Sequence, residues 1–180
     1  MRNSEFILQA LDDCLDRVLP VSLHLLGGAA LDLVYGIRRF SEDVDCMCTL
    51  SETGMIDADW FQRAVASANE RLTPHGLYLT HIFDETDLVH TQDWFRRIVS
   101  PPPEAPRFRH FRYDATSPED IILSELTRFD EKDQQDVRDL MRTRALTKAD
   151  IERLIGNVHV GEEWRETWEA GLRTWRTFDV

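Results

Sequence analysis

The chain has 180 residues, 42% hydrophobic and 30% charged, a balance that suits a folded globular protein and excludes wholesale disorder. Its 33 acidic and 21 basic side chains give a net charge of −12, which argues against general nucleic-acid binding, because such binding rests on Lys and Arg neutralising phosphates. No run approaches the ~20 apolar residues needed to cross a bilayer, so no membrane association is expected.

The first predicted element is an amphipathic helix over residues 5–18, with Phe6, Ile7, Leu11, Leu15 and Val18 on one face and Pro20 stopping it. Its interspersed acids are unlike a signal peptide, and a cytoplasmic location is expected. The three cysteines, Cys14, Cys46 and Cys48, suit neither a zinc knuckle nor a redox pair and read as reduced thiols. No histidine pair stands at ligand spacing.

Residues 22–49 carry most of the functional information. An apolar strand over 23–26 meets Gly27 and Gly28, where the backbone can turn sharply and approach a ligand without a Cβ in the way. A helix over about 29–35 follows, its first N–H groups suited to an anion. Arg38 and Arg39 stand in the connection, where they could reach a triphosphate or simply solvate the loop. The next strand carries Asp43 and Asp45, which project from one face about 7 Å apart, while Val44, Cys46 and Cys48 project from the other. Two like charges so placed favour a cation between them, and Mg²⁺, or Mn²⁺ in its place, is the hard, oxygen-seeking candidate. A phosphate cradle beside a metal seat is the minimum equipment for phosphoryl or nucleotidyl transfer.

Further along, a helix is predicted over 59–72 and a third strand over 76–83. The FDETD stretch, with Asp84 and Asp87, reads as a solvated turn. A short helix is predicted near Trp94 and Phe95, then a stiff triple proline at 101–103. The RFRHFRY stretch at 107–113 alternates arginine and aromatic residues, the pattern of an edge strand or of a single-strand nucleic-acid surface. Ser117, Pro118, Glu119 and Asp120 form a strong helix start, and Thr147 with Asp150 another. Trp164, Trp168, Leu172 and Trp175 recur at helical spacing, a stripe suited to packing, to a protein partner or to self-association.

The order Gly27-Gly28, helix, Tyr35-Gly36, Arg38-Arg39, Asp43-Val44-Asp45 resembles the first motif of the polymerase-β-type nucleotidyltransferase superfamily, closest to its small bacterial branch of AbiEii-type toxins. The resemblance implies an NTP held by two divalent metals and a third carboxylate on the strand after the Asp-x-Asp strand. No acid stands inside the predicted third strand, leaving Asp84 and Asp87 as substitutes. Around 116–140 the resembled branch has a lysine, then an arginine and a Lys-Asp-x-x-Asp element. Here Arg128, Lys132, Asp133 and Asp136 match the later part, and Glu125 replaces the first lysine.

The expected architecture is α/β with a small mixed sheet flanked by helices, a nucleotidyltransferase-like domain over 1–115 and a helical region over 116–180 packed on it. By resemblance, Asp43 and Asp45 hold the metal and act catalytically, and Gly27, Gly28, Arg38, Arg39 and Lys132 hold the nucleotide. The protein is then expected to transfer a nucleoside monophosphate to a hydroxyl on a protein, an RNA or a small molecule, with a toxin–antitoxin pair as the setting the resemblance implies. The alternative is a binding or scaffold protein that keeps the fold without turnover.

Overall fold

The structure is a computed structural model and describes residues 2–179. In chain order its elements are α1 (Asn3–Cys14), β1 (Ser22–Leu25), α2 (Gly27–Leu33), β2 (Asp43–Cys48), α3 (Thr53–Ile56), α4 (Asp59–Leu72), β3 (Tyr78–Asp84), β4 (Val89–Thr91), β5 (Arg112–Ala115), α5 (Pro118–Glu125), α6 (Glu131–Arg144), α7 (Lys148–Ile155), β6 (Val158–Val160) and α8 (Arg165–Thr177). They divide between two compact units, one of Met1–Asp84 with Ile98–Ala115, the other of Glu85–Arg97 with Thr116–Val180.

The first unit is built on a mixed sheet of order β3-β2-β1-β5. β1 runs antiparallel to β2 and parallel to β5, while β2 and β3 are parallel. Alternation assigns the two faces. Leu23, Leu25, Val44 and Cys46 fall on one and are fully buried, whereas His24, Asp43, Asp45 and Asp114 fall on the other. Helix α4 occupies the residues its apolar spacing predicts and buries Phe61, Ala64, Ala68 and Leu72. The buried thiols behave as small apolar groups: burial raises the pKa of Cys46 and pushes that of Cys48 up to about 11.

Three local expectations are corrected here. Helix α1 ends at Cys14 rather than Val18, because Leu15 turns extended and Leu19 donates its N–H to the His110 carbonyl, leaving Val18 65% exposed. The 107–113 stretch enters the sheet only at Arg112. Before that point Asp12 accepts the His110 N–H at 2.7 Å and Arg109 pairs with Asp12 and Asp13, so side-chain bonds to α1 replace the strand ladder. Asp84 is no turn residue: it closes β3, paired with Cys48.

The second unit combines four helices with a two-stranded ladder of β4 and β6, whose partners lie about seventy residues apart in the chain. This pairing replaces the helix predicted around Trp94, of which one 3₁₀ turn over Trp94–Arg97 remains. Ser117 caps α5 by accepting the Asp120 N–H. The Asp120 carboxylate then takes the Thr91 N–H at 2.7 Å, the Ser117 hydroxyl at 2.8 Å and Arg97 at 2.7 Å, fastening β4 to α5. Thr147 and Asp150 form the expected reciprocal cap on α7. Within α8 the tryptophan stripe is largely spent internally: Trp175 is 1% exposed and meets Phe129 and Phe178 edge-on or tilted, and Trp168 is also buried.

Helix α8 approaches the end of α5 so closely that a Cβ on Gly171 would lie 1.6 Å from the Leu126 carbonyl oxygen. Backbone cannot yield as a flexible side chain does. Gly171→Ala is therefore expected to destabilise the protein by at least about 3 kcal/mol, read as a lowered urea midpoint for loss of tryptophan fluorescence.

Candidate functional site

The site is assembled where β1 ends and α2 begins. Gly27 adopts φ +47°, a left-handed value that glycine reaches without steric penalty, so the chain leaves β1 and enters α2 within one residue. The turn is tied to β2 by the Leu26 N–H, which donates to the Asp45 carbonyl at 3.0 Å. Gly28 lies against Ser41, and a Cβ there would meet Ser41 Oγ at 3.2 Å. The diglycine backbone and the Asp-x-Asp strand are thus neighbours, as the motif requires.

Ser41 links the two halves. Its buried hydroxyl donates to Asp43 Oδ1 at 2.8 Å. On the other side Tyr78, the first residue of β3 and the register partner of Asp43, donates its phenol to Asp43 Oδ2 at 3.1 Å. Asp43 is therefore oriented by two hydroxyls. The Asp43 charge and this hydrogen bond raise the Tyr78 pKa, so the phenol keeps its proton. β3 also carries one residue more than β2 between the Val44–Leu79 and Cys46–Ile82 pairs, a bulge opposite Asp45. Within that bulged stretch the Thr80 hydroxyl is buried and has no hydrogen-bond partner.

The two aspartates suit Mg²⁺, which binds through one or two carboxylates and completes its shell with water and substrate phosphate. The orphaned Thr80 hydroxyl adds an oxygen on the strand beside Asp45. No cluster of three or more His, Cys, Asp or Glu side chains with metal-binding geometry occurs among the described residues. Asp84 pairs with Cys48, whose side-chain face is opposite that of Asp43 and Asp45, and Asp87 falls in the second unit. What β3 sets against Asp43 is the Tyr78 phenol.

Arg38 and Arg39 follow in the connection from α2 to β2, Arg38 exposed and Arg39 half-buried. They line a cavity of about 520 Å³ together with Arg2, Glu5 and Asp32, so acidic groups already share their surroundings. Lys132 belongs to the second unit, exposed in the first turn of α6, where Asp130 caps the helix by accepting the Lys132 and Asp133 N–H groups. Asp133 does not orient Lys132. It is buried and pairs with Arg128 at 3.0 Å.

A third acid on the sheet face of Asp43 and Asp45, which the sequence reading passed over, is Asp114 on β5. It stands level with His24, and its Oδ1 accepts from His24 Nδ1 at 2.6 Å. His24 Nε2 donates to Glu52 Oε2 at 3.3 Å, and the same Glu52 oxygen accepts the Thr49 N–H and hydroxyl at 2.8 Å each. A carboxylate on each ring nitrogen favours the charged form of His24. Burial works against that charge, but the hydrogen bond and charge of Asp114, joined by Glu52, outweigh it and raise the His24 pKa. This ion network ties β1, β5 and the end of β2 together on the face that carries Asp43 and Asp45.

Glu125, which stands where the resembled branch has a lysine, is 7% exposed. Burial, then the hydrogen bond and charge of Asp133, push its pKa well up, with Arg128 opposing. A protonated Glu125 contributes no repelling charge of its own.

The mixed sheet, the diglycine turn and the paired aspartates define a nucleotidyltransferase-like fold. A protein-family model described as "Nucleotidyl transferase AbiEii toxin, Type IV TA system" matches residues 9–118, and the chain belongs to this family. Comparisons with curated proteins and with solved structures returned no match. Among the described residues no helix is long and apolar enough to cross a membrane.

Two pH dependences follow, opposite in chemistry but alike in sign. The raised His24 pKa gives a contribution fully present below the unfolded value of about 6.5 and lost as pH rises through the folded value. Asp114→Asn should remove about 1–3 kcal/mol of stability at about pH 6, and a smaller amount at about pH 9, in urea unfolding. For Glu125 the folded state holds a proton that the unfolded chain releases near pH 4.3, so its burial weakens stability as pH rises from there through its folded value. Glu125→Gln keeps the donor without the proton loss, and should match or exceed the wild type in thermal midpoint at about pH 8.

Proposed function

We propose that the protein is an active nucleotidyltransferase that transfers a nucleoside monophosphate from an NTP to a hydroxyl acceptor and releases pyrophosphate. The observation that carries this reading is the seating of the Asp43 and Asp45 strand against the Gly27-Gly28 turn, with Ser41 touching both. In this reading the phosphates lie against the backbone of Gly27 and Gly28, and Arg38 and Arg39 add positive charge from the connecting loop. Lys132 is assigned to the nucleotide on motif resemblance. Asp43 and Asp45 hold the metal and, with it, the triphosphate. Mg²⁺ or Mn²⁺ would supply charge neutralisation at the phosphoryl oxygens. Ser41 and Tyr78 fix the Asp43 carboxylate before substrate arrives, which lowers the reorganisation needed during transfer.

Family membership supports a toxin role in a toxin–antitoxin pair, with an antitoxin as cognate partner and a protein, RNA or small molecule as acceptor. A cytoplasmic site of action fits that role. The second reading, a binding protein that retains the fold without turnover, draws on Glu125 in place of a lysine and on a phenol, Tyr78, as what β3 sets against Asp43.

Incubation with each α-labelled NTP, Mg²⁺ or Mn²⁺ and cell extract separates the two. Wild type is expected to label an acceptor, and the Asp43→Ala/Asp45→Ala variant to lose labelling by on the order of 10²–10³-fold, the scale on which single preorganised electrostatic contacts act. Equal labelling by wild type and variant would falsify the enzymatic reading.

A further inference from the structure

We propose that Tyr78 is itself an acceptor, so that the protein attaches one nucleotidyl group to its own phenol and thereby blocks the approach to Asp43. The inference rests on the proposed transferase activity and adds a regulatory branch to it.

Three observations place Tyr78 in this role. Its hydroxyl lies 3.1 Å from Asp43 Oδ2, within hydrogen-bond reach of a group that can take its proton. It is 45% exposed, so the ring has room to move toward a bound nucleotide. Its position is on the far side of Asp43 from the diglycine turn: Ser41, which touches Gly28, holds Oδ1, and Tyr78 holds Oδ2. A nucleotide seated at the turn and the Tyr78 hydroxyl thus meet at the same carboxylate, which brings donor and acceptor to one place. Ser41 is the other hydroxyl on Asp43, but at 6% exposure and pressed against Gly28 it has no path to an incoming phosphorus.

The step balances without a further reactant. The phenolic oxygen attacks the α-phosphorus of the NTP and forms a new O–P bond. The bond from that phosphorus to the bridging oxygen breaks, and pyrophosphate leaves with the electron pair. The phenolic proton passes to Asp43 Oδ2. The product is a tyrosyl phosphodiester that has lost its donor hydrogen to Asp43 and places a nucleoside beside it.

The test uses the purified full chain with each α-labelled NTP and Mg²⁺ or Mn²⁺, without extract, followed by peptide mapping. Intact mass of the chain as isolated from cells gives a readout independent of added substrate. The expected result is one nucleotidyl group per chain on the peptide containing Tyr78, absent from Tyr78→Phe and from Asp43→Asn. Label on Ser41 or any other residue, or label retained by Tyr78→Phe, overturns the proposal, as does an unlabelled wild type. Parallel reactions with extract keep the two readings apart: an extract component labelled by a chain that does not label itself removes self-transfer and leaves the transferase standing. A wild type that labels neither, with no rise in thermal midpoint on adding any NTP and metal, removes both.

Discussion

Two carboxylates two residues apart on one strand repel each other, and the arrangement around them answers that repulsion at Asp43 with neutral hydroxyls. An arginine there would neutralise the charge and close the seat. Ser41 and Tyr78 instead take one oxygen each, fix the carboxylate's plane and leave its charge in place. In the proposed function this is the carboxylate that would take the divalent cation. The bulge in β3 opposite Asp45 and the unsatisfied Thr80 hydroxyl lie in the same neighbourhood.

The sheet beneath that site is held by charge as much as by apolar packing. Leu23, Leu25, Val44 and Cys46 supply the apolar face, while the opposite face is joined by the His24 ring between Asp114 and Glu52. A buried cation between two carboxylates is costly to desolvate, and removing one partner strands the others, so the network specifies the β1–β5 register sharply. Glu52 extends it to Thr49 at the exit of β2, so the strand carrying both aspartates is pinned beyond its last residue.

In the second unit the same physics leads to a different outcome. Glu125, Asp133 and Asp136 are all buried, and Arg128 pairs with Asp133 at 3.0 Å and Glu125 at 3.7 Å. Holding Glu125 protonated is the cheaper solution than burying a further bare charge. The substitution of an acid for the resembled lysine thus becomes a buried hydrogen-bonding group instead of a triphosphate-repelling one. The tryptophans of α8 complete that unit's core against Phe129 and Phe178, with Gly171 allowing the backbone contact at Leu126.

Local chemistry decided what the sequence alone could tell. The diglycine turn, the shared face of Asp43 and Asp45, helix α4 and the caps at Ser117 and Thr147 depend on neighbours within a few residues, and each is legible from spacing. The family followed from the same short stretch. What needed tertiary structure were the contacts between distant segments: Tyr78 on Asp43 across 35 residues, Asp114 on His24 across 90, and the β4–β6 ladder across about seventy. Side-chain bonds from Asp12 and Asp13 kept Arg109 and His110 out of the strand their alternation suggested. Periodicity states which face a residue takes. Register between strands, which sets the groups that share that face, is fixed only when the whole sheet has formed.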